Sequence, residues 1–417
     1  MRISLQSRPR RILVVLVSAA VICLYVAVTL RAYVASRLGA TPKRSALEWA
    51  VRLEPDNAEY PNRLGRFLSY AAQDFPAGVR AYRRAVALNP YAARYWLDLA
   101  GAYLVEGKSA DEEGALEQAA RADPTTPSVA WEVANHYLVQ GRMEKALPLF
   151  RVALANDPNL RRPGLELCWR ATQSAETVLD RALVPRPDLY LAFLNFLLAK
   201  KEYAAADGVW SRLIALNKPF DSKAVFGYLE ELLERREVGQ LQRAWQQLGK
   251  VNPGFRPYVT SGNLIVNGGF DQPLLNAGLD WRYHPVPNVK VEIDGVEFRG
   301  GSRSLMISFD GGSPAEAGIL QFVPVQPAQR YEFSAYIKAE DLETTSGPRF
   351  AVNDAYTGAS YLLTEELPRY SNVWRLQRAE FQTGAETRLL LLKLVRVPSD
   401  SLIKGRLWID DVSLVAK

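Results

Sequence analysis

The first thirty residues divide into a basic leader and an uncharged hydrophobic run. Residues 12–30 contain no charged side chain, and Ser18 and Thr29 are among the few polar positions in them. At about 1.5 Å per residue, a helix of this length crosses a hydrocarbon core of about 30 Å. The pattern therefore predicts one transmembrane helix over residues 12–30.

The charges beside this run predict its orientation. The leader, residues 1–11, carries Arg2, Arg8, Arg10 and Arg11. Because basic flanks remain on the cytoplasmic side, we expect a single-pass inner-membrane protein with most of its chain outside the cytoplasm. A cleaved signal peptide has a shorter hydrophobic core of about 7–15 residues, so the run favours an uncleaved anchor. Residues 31–43 are predicted to form a linker.

Beyond the linker, apolar positions recur with helical spacing, and prolines end successive helices. An Asn, Asp or Glu often precedes these prolines, and each such pair predicts a boundary between helical hairpins. Most of the intervals between neighbouring prolines are 34 or 35 residues; the prolines are Pro55, Pro90, Pro124, Pro158, Pro219 and Pro253.

Within each period, small and large residues alternate as two closely packed antiparallel helices require. The unit ending at Pro158 has Ala134 and Tyr137 on its first helix, followed by Ala146 and Phe150 on its second. This pattern resembles the tetratricopeptide repeat family. The resemblance covers residues 44–257, which are predicted to form an all-α solenoid. Residues 159–187 depart from the pattern and are interpreted as a degenerate, shortened repeat.

The resemblance implies a protein-binding groove on the concave face of the solenoid. This groove would be largely apolar, which suits a hydrophobic partner segment. An alternative is that the C-terminal domain of the same chain, or a second copy, fills the groove, because apolar surface must be covered. The predicted groove residues are Leu97, Leu104, Trp131, Asn135, Leu138, Phe226 and Leu233.

After Pro257 the helical period gives way to short alternating runs separated by Gly, Pro, Asn and Asp. Such runs predict an antiparallel β-sandwich or jelly roll. The opening segment 263–271, the strand 331–338 and the closing segment 407–414 together resemble carbohydrate-binding modules of the family 4/9 type, which have a galactose-binding-like jelly roll. The resemblance covers residues 261–417. It identifies a fold rather than a ligand.

The resemblance implies two kinds of site in the sandwich. Asp271 and Asp410 match positions that hold a structural calcium, although this chain has Asp where the family usually has Glu. A pair of acids capping strand ends is the alternative interpretation. Sugar recognition would depend on aromatic rings that stack on pyranose faces, and the alternative for each ring is packing in the core or at its rim. The candidate rings are Tyr356, Tyr361, Trp374 and Trp281.

The composition argues against nucleic-acid binding and against enzyme activity. The net charge of +6 over 417 residues comes from interspersed acids and bases, which gives no reason to expect nucleic acid as a partner. His136 and His284 lie in different predicted domains, and no paired carboxylates, zinc spacing or phosphate-binding loop occurs, so we expect no enzyme activity. We therefore expect a membrane-anchored scaffold that docks a protein and contacts polysaccharide. The alternative is a purely structural assembly factor that binds no sugar.

Overall fold

The computed structural model describes residues 8–259, 262–369 and 371–417. The chain divides between Val184 and Pro185 into two compact units. The first is helical. The second combines helices with a β-sandwich, so the helices of the predicted solenoid are shared between the two units.

Helix α1 extends well beyond the predicted transmembrane run. It covers Arg8–Gly39, has no acidic residue in its first turn, and is long and apolar enough to cross a membrane. The predicted linker over residues 31–43 is wrong for residues 31–39, because these continue the helix without a break. The part of the basic leader before Arg8 lies outside the described residues.

The continuation of α1 is the first helix of a hairpin. Ala35, at the level of its last two turns, packs with Ala50 and Val51 of the next helix and with Tyr60. Small side chains at this contact allow the two backbones to approach closely, as in the later hairpins. The further helices of the first unit are α2 (Arg44–Leu53), α3 (Glu59–Arg66), α4 (Phe75–Leu88), α5 (Ala93–Val105), α6 (Ser109–Ala122), α7 (Pro127–Val139), α8 (Met143–Asn156), α9 (Pro158–Thr172) and α10 (Ala175–Thr177).

The irregular segment is still helical. Helix α9 begins at Pro158 and accommodates Pro163 in its first two turns. It ends at Thr172, and the capping residue Gln173 has left-handed backbone dihedrals. The short α10 then runs into a π-helical stretch, Val178–Ala182. A second π-helical stretch, Phe67–Ala71, follows α3. Cys168 is buried in this packing.

The helices of the second unit precede its strands. Helices α11 (Pro187–Ala199), α12 (Tyr203–Ala215), α13 (Phe226–Glu234) and α14 (Val238–Val251) lead through the short 3₁₀ segment Pro253–Tyr258 to the sandwich. Tyr228 of α13 is fully buried, stacks on Trp210, and donates a hydrogen bond from its hydroxyl to Asp207. These contacts hold the last two helical pairs together.

The sandwich has two five-stranded antiparallel sheets. Sheet A has the order β1-β4-β9-β6-β7, and sheet B has the order β2-β3-β10-β5-β8. Alternation of side chains along the strands places one set between the sheets, where Phe333 of sheet B packs on Phe350 of sheet A. The strands are β1 (Arg282–Tyr283), β2 (Val289–Asp294), β3 (Ser304–Asp310), β4 (Glu316–Pro324), β5 (Arg330–Glu343), β6 (Pro348–Asp354), β7 (Ser360–Leu363), β8 (Ser371–Gln382), β9 (Leu389–Arg396) and β10 (Lys404–Ala416).

Candidate functional site

The predicted groove residues of the first unit are only partly accessible. Leu97 is buried, so its side chain belongs to the packing between helices rather than to an open groove. Leu104, by contrast, is 43% exposed near the end of α5. Trp131 is half-buried and packs edge-on against Phe150, with ring centroids 5.5 Å apart.

The neighbours of Trp131 on α7 complete this surface. Asn135 donates a hydrogen bond from Nδ2 to the backbone carbonyl of Trp131, at 2.8 Å. Leu138 lies one turn later and is half-buried. Of the predicted groove residues in the first unit, Leu104, Trp131 and Leu138 therefore keep apolar surface that a partner could contact.

In the second unit, the sandwich of the same chain covers part of the predicted groove. Phe226 is half-buried, and Leu233 is almost fully buried at the end of α13. The Tyr356 hydroxyl donates a hydrogen bond to the Leu233 carbonyl, at 3.1 Å. At Leu233, the C-terminal domain therefore occupies the surface, in agreement with the alternative interpretation of the groove.

Tyr356 is consequently not a free platform for a sugar ring. The Arg236 guanidinium lies 4.8 Å from its ring centroid and covers one face. Burial raises the pKa of the Tyr356 hydroxyl. Asp354 holds the loop in place by accepting a hydrogen bond from the Tyr356 backbone N–H. The ring joins the sandwich to the helices, which local sequence could not reveal because its partner lies more than a hundred residues away.

A second set of contacts strengthens this junction. Glu230 of α13 accepts hydrogen bonds from Arg282 Nη2 and from the Gly278 backbone N–H, both at 2.8 Å. Gly278 has a positive φ of 57°, and a Cβ there would lie 2.3 Å from the Trp245 ring. Glycine is therefore required where the loop before β1 meets α14.

Trp281 lies in the core of the sandwich. Only 3% of its surface is exposed, its ring packs against Phe270, and its indole N–H donates to the Asn267 carbonyl. The assignment of Trp281 to a sugar-binding surface is wrong because no face of the ring reaches solvent. The alternative assignment to the core is correct.

Tyr361 and Trp374 lie nearer the surface. The Tyr361 hydroxyl is 2.5 Å from Thr387 Oγ1, and its ring stacks at 6.5 Å on Phe381, so one ring face is covered. Trp374 is half-buried on β8, an edge strand of sheet B.

The two predicted calcium ligands lie on either side of a glycine. A Cβ built on Gly269 would lie 3.5 Å from Asp271 Oδ2 and 3.8 Å from Asp410 Oδ1. Burial raises the pKa of the Asp410 carboxyl group. Its oxygens accept hydrogen bonds from the backbone N–H groups of Arg299, Gly300 and Asp411, which act in the opposite direction on the pKa.

The remaining donors near these carboxylates are also engaged. Asp271 Oδ1 accepts hydrogen bonds from the backbone N–H and the hydroxyl of Ser302, and Arg299 forms an ion pair with Asp411. Within the described ranges, no group of three or more His, Cys, Asp and Glu side chains is arranged to hold a metal ion. A calcium ion here would depend on Asp271 Oδ2, Asp410 and backbone carbonyls.

Sheet B also carries a polar cleft that sequence reasoning missed. The cleft has a volume of about 440 Å³ and is lined by Glu297, Lys338, Ala339, Glu340, Asp341, Ser371, Arg406 and Trp408. Lys338 donates to Glu297 at 2.5 Å, and the Trp408 indole N–H donates to Asp294 at 2.8 Å. Trp408 is buried beneath the charged side chains, so hydrogen bonding rather than ring stacking is the chemistry this cleft offers.

Comparison with known proteins supports the helical part of the description. The family model described as tetratricopeptide repeat matches residues 69–127 and 113–160. Residues 69–160 therefore carry tetratricopeptide repeats. No curated protein matches the chain in sequence at a significant level.

Solved structures resemble parts of the chain at low identity. A carbohydrate-binding module of family 4 is 12% identical, covers 37% of this chain and 99% of its own, and has a TM-score of 0.29. The CBM22-1 xylan-binding domain of Paenibacillus barcinonensis Xyn10C is 16% identical and covers 36% and 91%, with a TM-score of 0.27. The MamA protein is 15% identical and covers 42% and 94%, with a TM-score of 0.31.

The reactive side chains outside these surfaces are engaged in the fold. Burial raises the pKa of the Cys168 thiol in the repeats to about 12, which makes it a poor nucleophile. His136 pairs with the buried Glu112 at 3.2 Å, and His284 pairs with Glu316 at 3.1 Å. Each histidine therefore has a carboxylate partner within the fold.

Proposed function

We propose that this chain is a membrane-anchored scaffold of the cell envelope. Its repeats would dock a protein partner, and its sandwich would contact polysaccharide during exopolysaccharide synthesis or export. The observation that carries the proposal is that an apolar helix long enough to span a bilayer continues directly into helical repeats on a chain that ends in a jelly-roll sandwich.

Within this proposal, Trp374 is the best candidate for stacking on a sugar ring. The polar cleft on the same sheet would supply hydrogen bonds to hydroxyl groups. Tyr356 is excluded from this role because it joins the sandwich to α13.

The test is retention of the full chain, in detergent or nanodiscs, on a broad array of polysaccharides. The full chain is appropriate because the sandwich shares a compact unit with α11–α14. We expect Trp374→Ala to reduce retention about tenfold, as expected for loss of one stacked aromatic ring, while Tyr361→Phe retains binding. Absence of retention by the unmodified chain on every glycan would exclude the sugar-binding function.

A second candidate function follows from the junction between α13 and the sandwich. Since Tyr356 and Arg282 both bond to α13, the sandwich already makes protein contacts within its own chain. The chain would then be an assembly factor whose sandwich mediates protein–protein contact and binds no sugar. Recovery of a protein partner without retention on any glycan is the result that favours this function.

Calcium binding remains a prediction. If Asp271 and Asp410 hold Ca²⁺, adding it after chelation should raise the unfolding temperature of the sandwich, because an ion that binds only the folded state stabilises it. Asp271→Asn should abolish that increase, whereas Asp341→Asn, an acid elsewhere on sheet B, should preserve it. Equal melting with calcium and with chelator would contradict the prediction.

A further inference from the structure

The end of the spanning run fixes the height of the first repeat above a membrane. Helix α1 continues nine residues past Leu30 to Gly39, a rise of about 13 Å at 1.5 Å per residue. Helix α2 then returns along α1, since Ala50 and Val51 pack against Ala35. Ala35 lies about 7 Å beyond Leu30, so the C-terminal end of α2 lies between that level and the end of the hydrophobic run.

Helix α4 brings a second turn to the same side. Its Arg84 donates from Nη2 to the Pro55 carbonyl in the turn after α2, at 3.2 Å. The C-terminal ends of α2 and α4 are therefore neighbours. We define the proximal edge as these two ends with their following turns, residues 49–57 and 84–92.

The exposed side chains of the proximal edge are those that favour a membrane interface. Trp49 is 55% exposed with Arg52 5.2 Å from its ring centroid, and Tyr91 is 84% exposed. Trp and Tyr concentrate where a bilayer meets water, because their rings are apolar and their N–H or O–H groups are polar. Tyr33, exposed on α1 at about the same height, adds a third ring.

The thickness of a bilayer matches this placement. A bilayer is about 40–45 Å thick with its headgroups and about 30 Å without them, so each headgroup layer is about 5–8 Å deep. We propose that the proximal edge lies in the phospholipid headgroup layer, with Trp49 and Tyr91 as its interfacial contacts. This inference rests on the proposed membrane anchoring by α1.

The charges of the edge suggest that the rings, rather than electrostatic attraction, provide the contact. Within the edge, Glu54 and Asp56 balance the charges of Arg52 and Arg84, so the edge has little net charge. An anionic surface would therefore gain little by attracting it. The contact should be the same on zwitterionic and anionic bilayers.

Tyr70 provides a matched control. It is 73% exposed and follows α3, at the opposite ends of the helices, where it lines a pocket with Gly39 and Pro42. That pocket lies beside the end of α1 farthest from the spanning run. Tyr70 and Tyr91 are thus exposed tyrosines at opposite ends of the same repeat, and they differ mainly in their height above the membrane.

The experiment measures quenching of a thiol-linked bimane by headgroup-nitroxide lipids in nanodiscs that contain the full chain. The background is Cys23→Ala, in which Cys168 is buried and unreactive. Labels are placed through Tyr91→Cys and Tyr70→Cys, and Val21→Cys with acyl-chain nitroxides reports on the anchor. We expect quenching at position 91 to exceed that at position 70 by at least about threefold, as the headgroup layer is thin.

The outcomes distinguish failure of the membrane anchor from failure of the proximal-edge contact. Quenching at position 21 with equal quenching at positions 91 and 70 would overturn the proximal-edge inference while leaving the anchor intact. Absence of quenching at position 21 would instead refute anchoring itself, and the inference with it. A difference between positions 91 and 70 that requires anionic lipid would overturn the assignment to the aromatic rings.

Discussion

Asp280 is a carboxyl group enclosed by the loop that precedes β1. It is fully buried, and its Oδ2 accepts a hydrogen bond from the Leu275 backbone N–H at 2.7 Å. Burial raises its pKa from 3.8 to about 7, because a carboxylate loses more than a carboxylic acid when water is removed. This hydrogen bond lies within the loop that contains Gly278, whose backbone N–H donates to Glu230 of α13.

This shift predicts how stability depends on pH. The folded protein retains the Asp280 proton to a higher pH than the unfolded chain, so the folded state loses stability as pH rises from about 4 through about 7. Asp280→Asn should remove that loss. We expect it to stabilise the second unit at pH 8 by about 2–4 kcal/mol and to change little at pH 4.

Denaturant unfolding at the two pH values measures this effect. Asp400→Asn, which changes an exposed acid in the same unit, is the control. Equal effects of Asp280→Asn at pH 4 and pH 8 would show that the carboxyl group is not titrating as its burial predicts.

Single residues also show the limits of sequence interpretation. Trp281 and Tyr356 were both candidates for sugar stacking because an aromatic ring near a turn looks the same whether it is exposed or packed. Trp281 contacts Phe270, and Tyr356 contacts Leu233 and Arg236. These partners are defined by the tertiary fold, so local pattern could not assign the rings.

At the scale of elements, periodicity predicted most of the structure. The prolines marked the hairpin boundaries because a proline is unfavourable in a helix interior but suits its first turn: α8 ends at Asn156, and α9 begins at Pro158. The predicted strand 331–338 lies within β5, and the closing segment 407–414 lies within β10. Strand β8 was not predicted, because its many polar residues weaken the alternation of apolar and polar positions along this exposed edge strand.

Helix α1 was predicted too short for a related reason. Arg31 ends the uncharged run, but the helix continues through Arg37 to Gly39. A hydrophobic run predicts only the apolar part of a helix. The helix continues beyond that run because Ala35 and Leu38 pack into the hydrophobic cluster formed with α2.

The junction between α13 and the sandwich gives a prediction at this scale. Glu230→Ala removes both hydrogen bonds to the β1 region and leaves Arg282 with less compensation. We expect a loss of about 1–3 kcal/mol in the stability of the second unit. Glu234→Ala, an exposed position on the same helix, should have little effect.

Hydrogen exchange of residues 275–283 measures the junction directly. Glu230→Ala should accelerate exchange in this loop, whereas Glu234→Ala should not. Unchanged exchange in both variants would show that the junction does not depend on Glu230.

For the whole molecule, the order of the structural parts along the chain was more predictable than the sites. The apolar N-terminal helix, the repeats and the sandwich each have a characteristic hydrophobic pattern, which does not depend on distant contacts. Whether the predicted groove and the predicted sugar-binding rings are accessible depends on what covers each surface. Leu104 stays exposed, whereas Leu233 is covered by the sandwich of its own chain.

The most direct test of the scaffold function asks whether the chain binds a protein and a polysaccharide through separate surfaces. The variants are Leu104→Asp in the repeats and Trp374→Ala in the sandwich, with Val105→Asp, an adjacent exposed position, as the control. For each full-length variant in nanodiscs, recovery of the membrane-derived protein partner and retention on polysaccharide are measured together. We expect that Leu104→Asp loses only the protein, Trp374→Ala loses only the polysaccharide, and Val105→Asp keeps both. Failure of the unmodified chain to retain polysaccharide, or loss of both ligands in either variant, would contradict it.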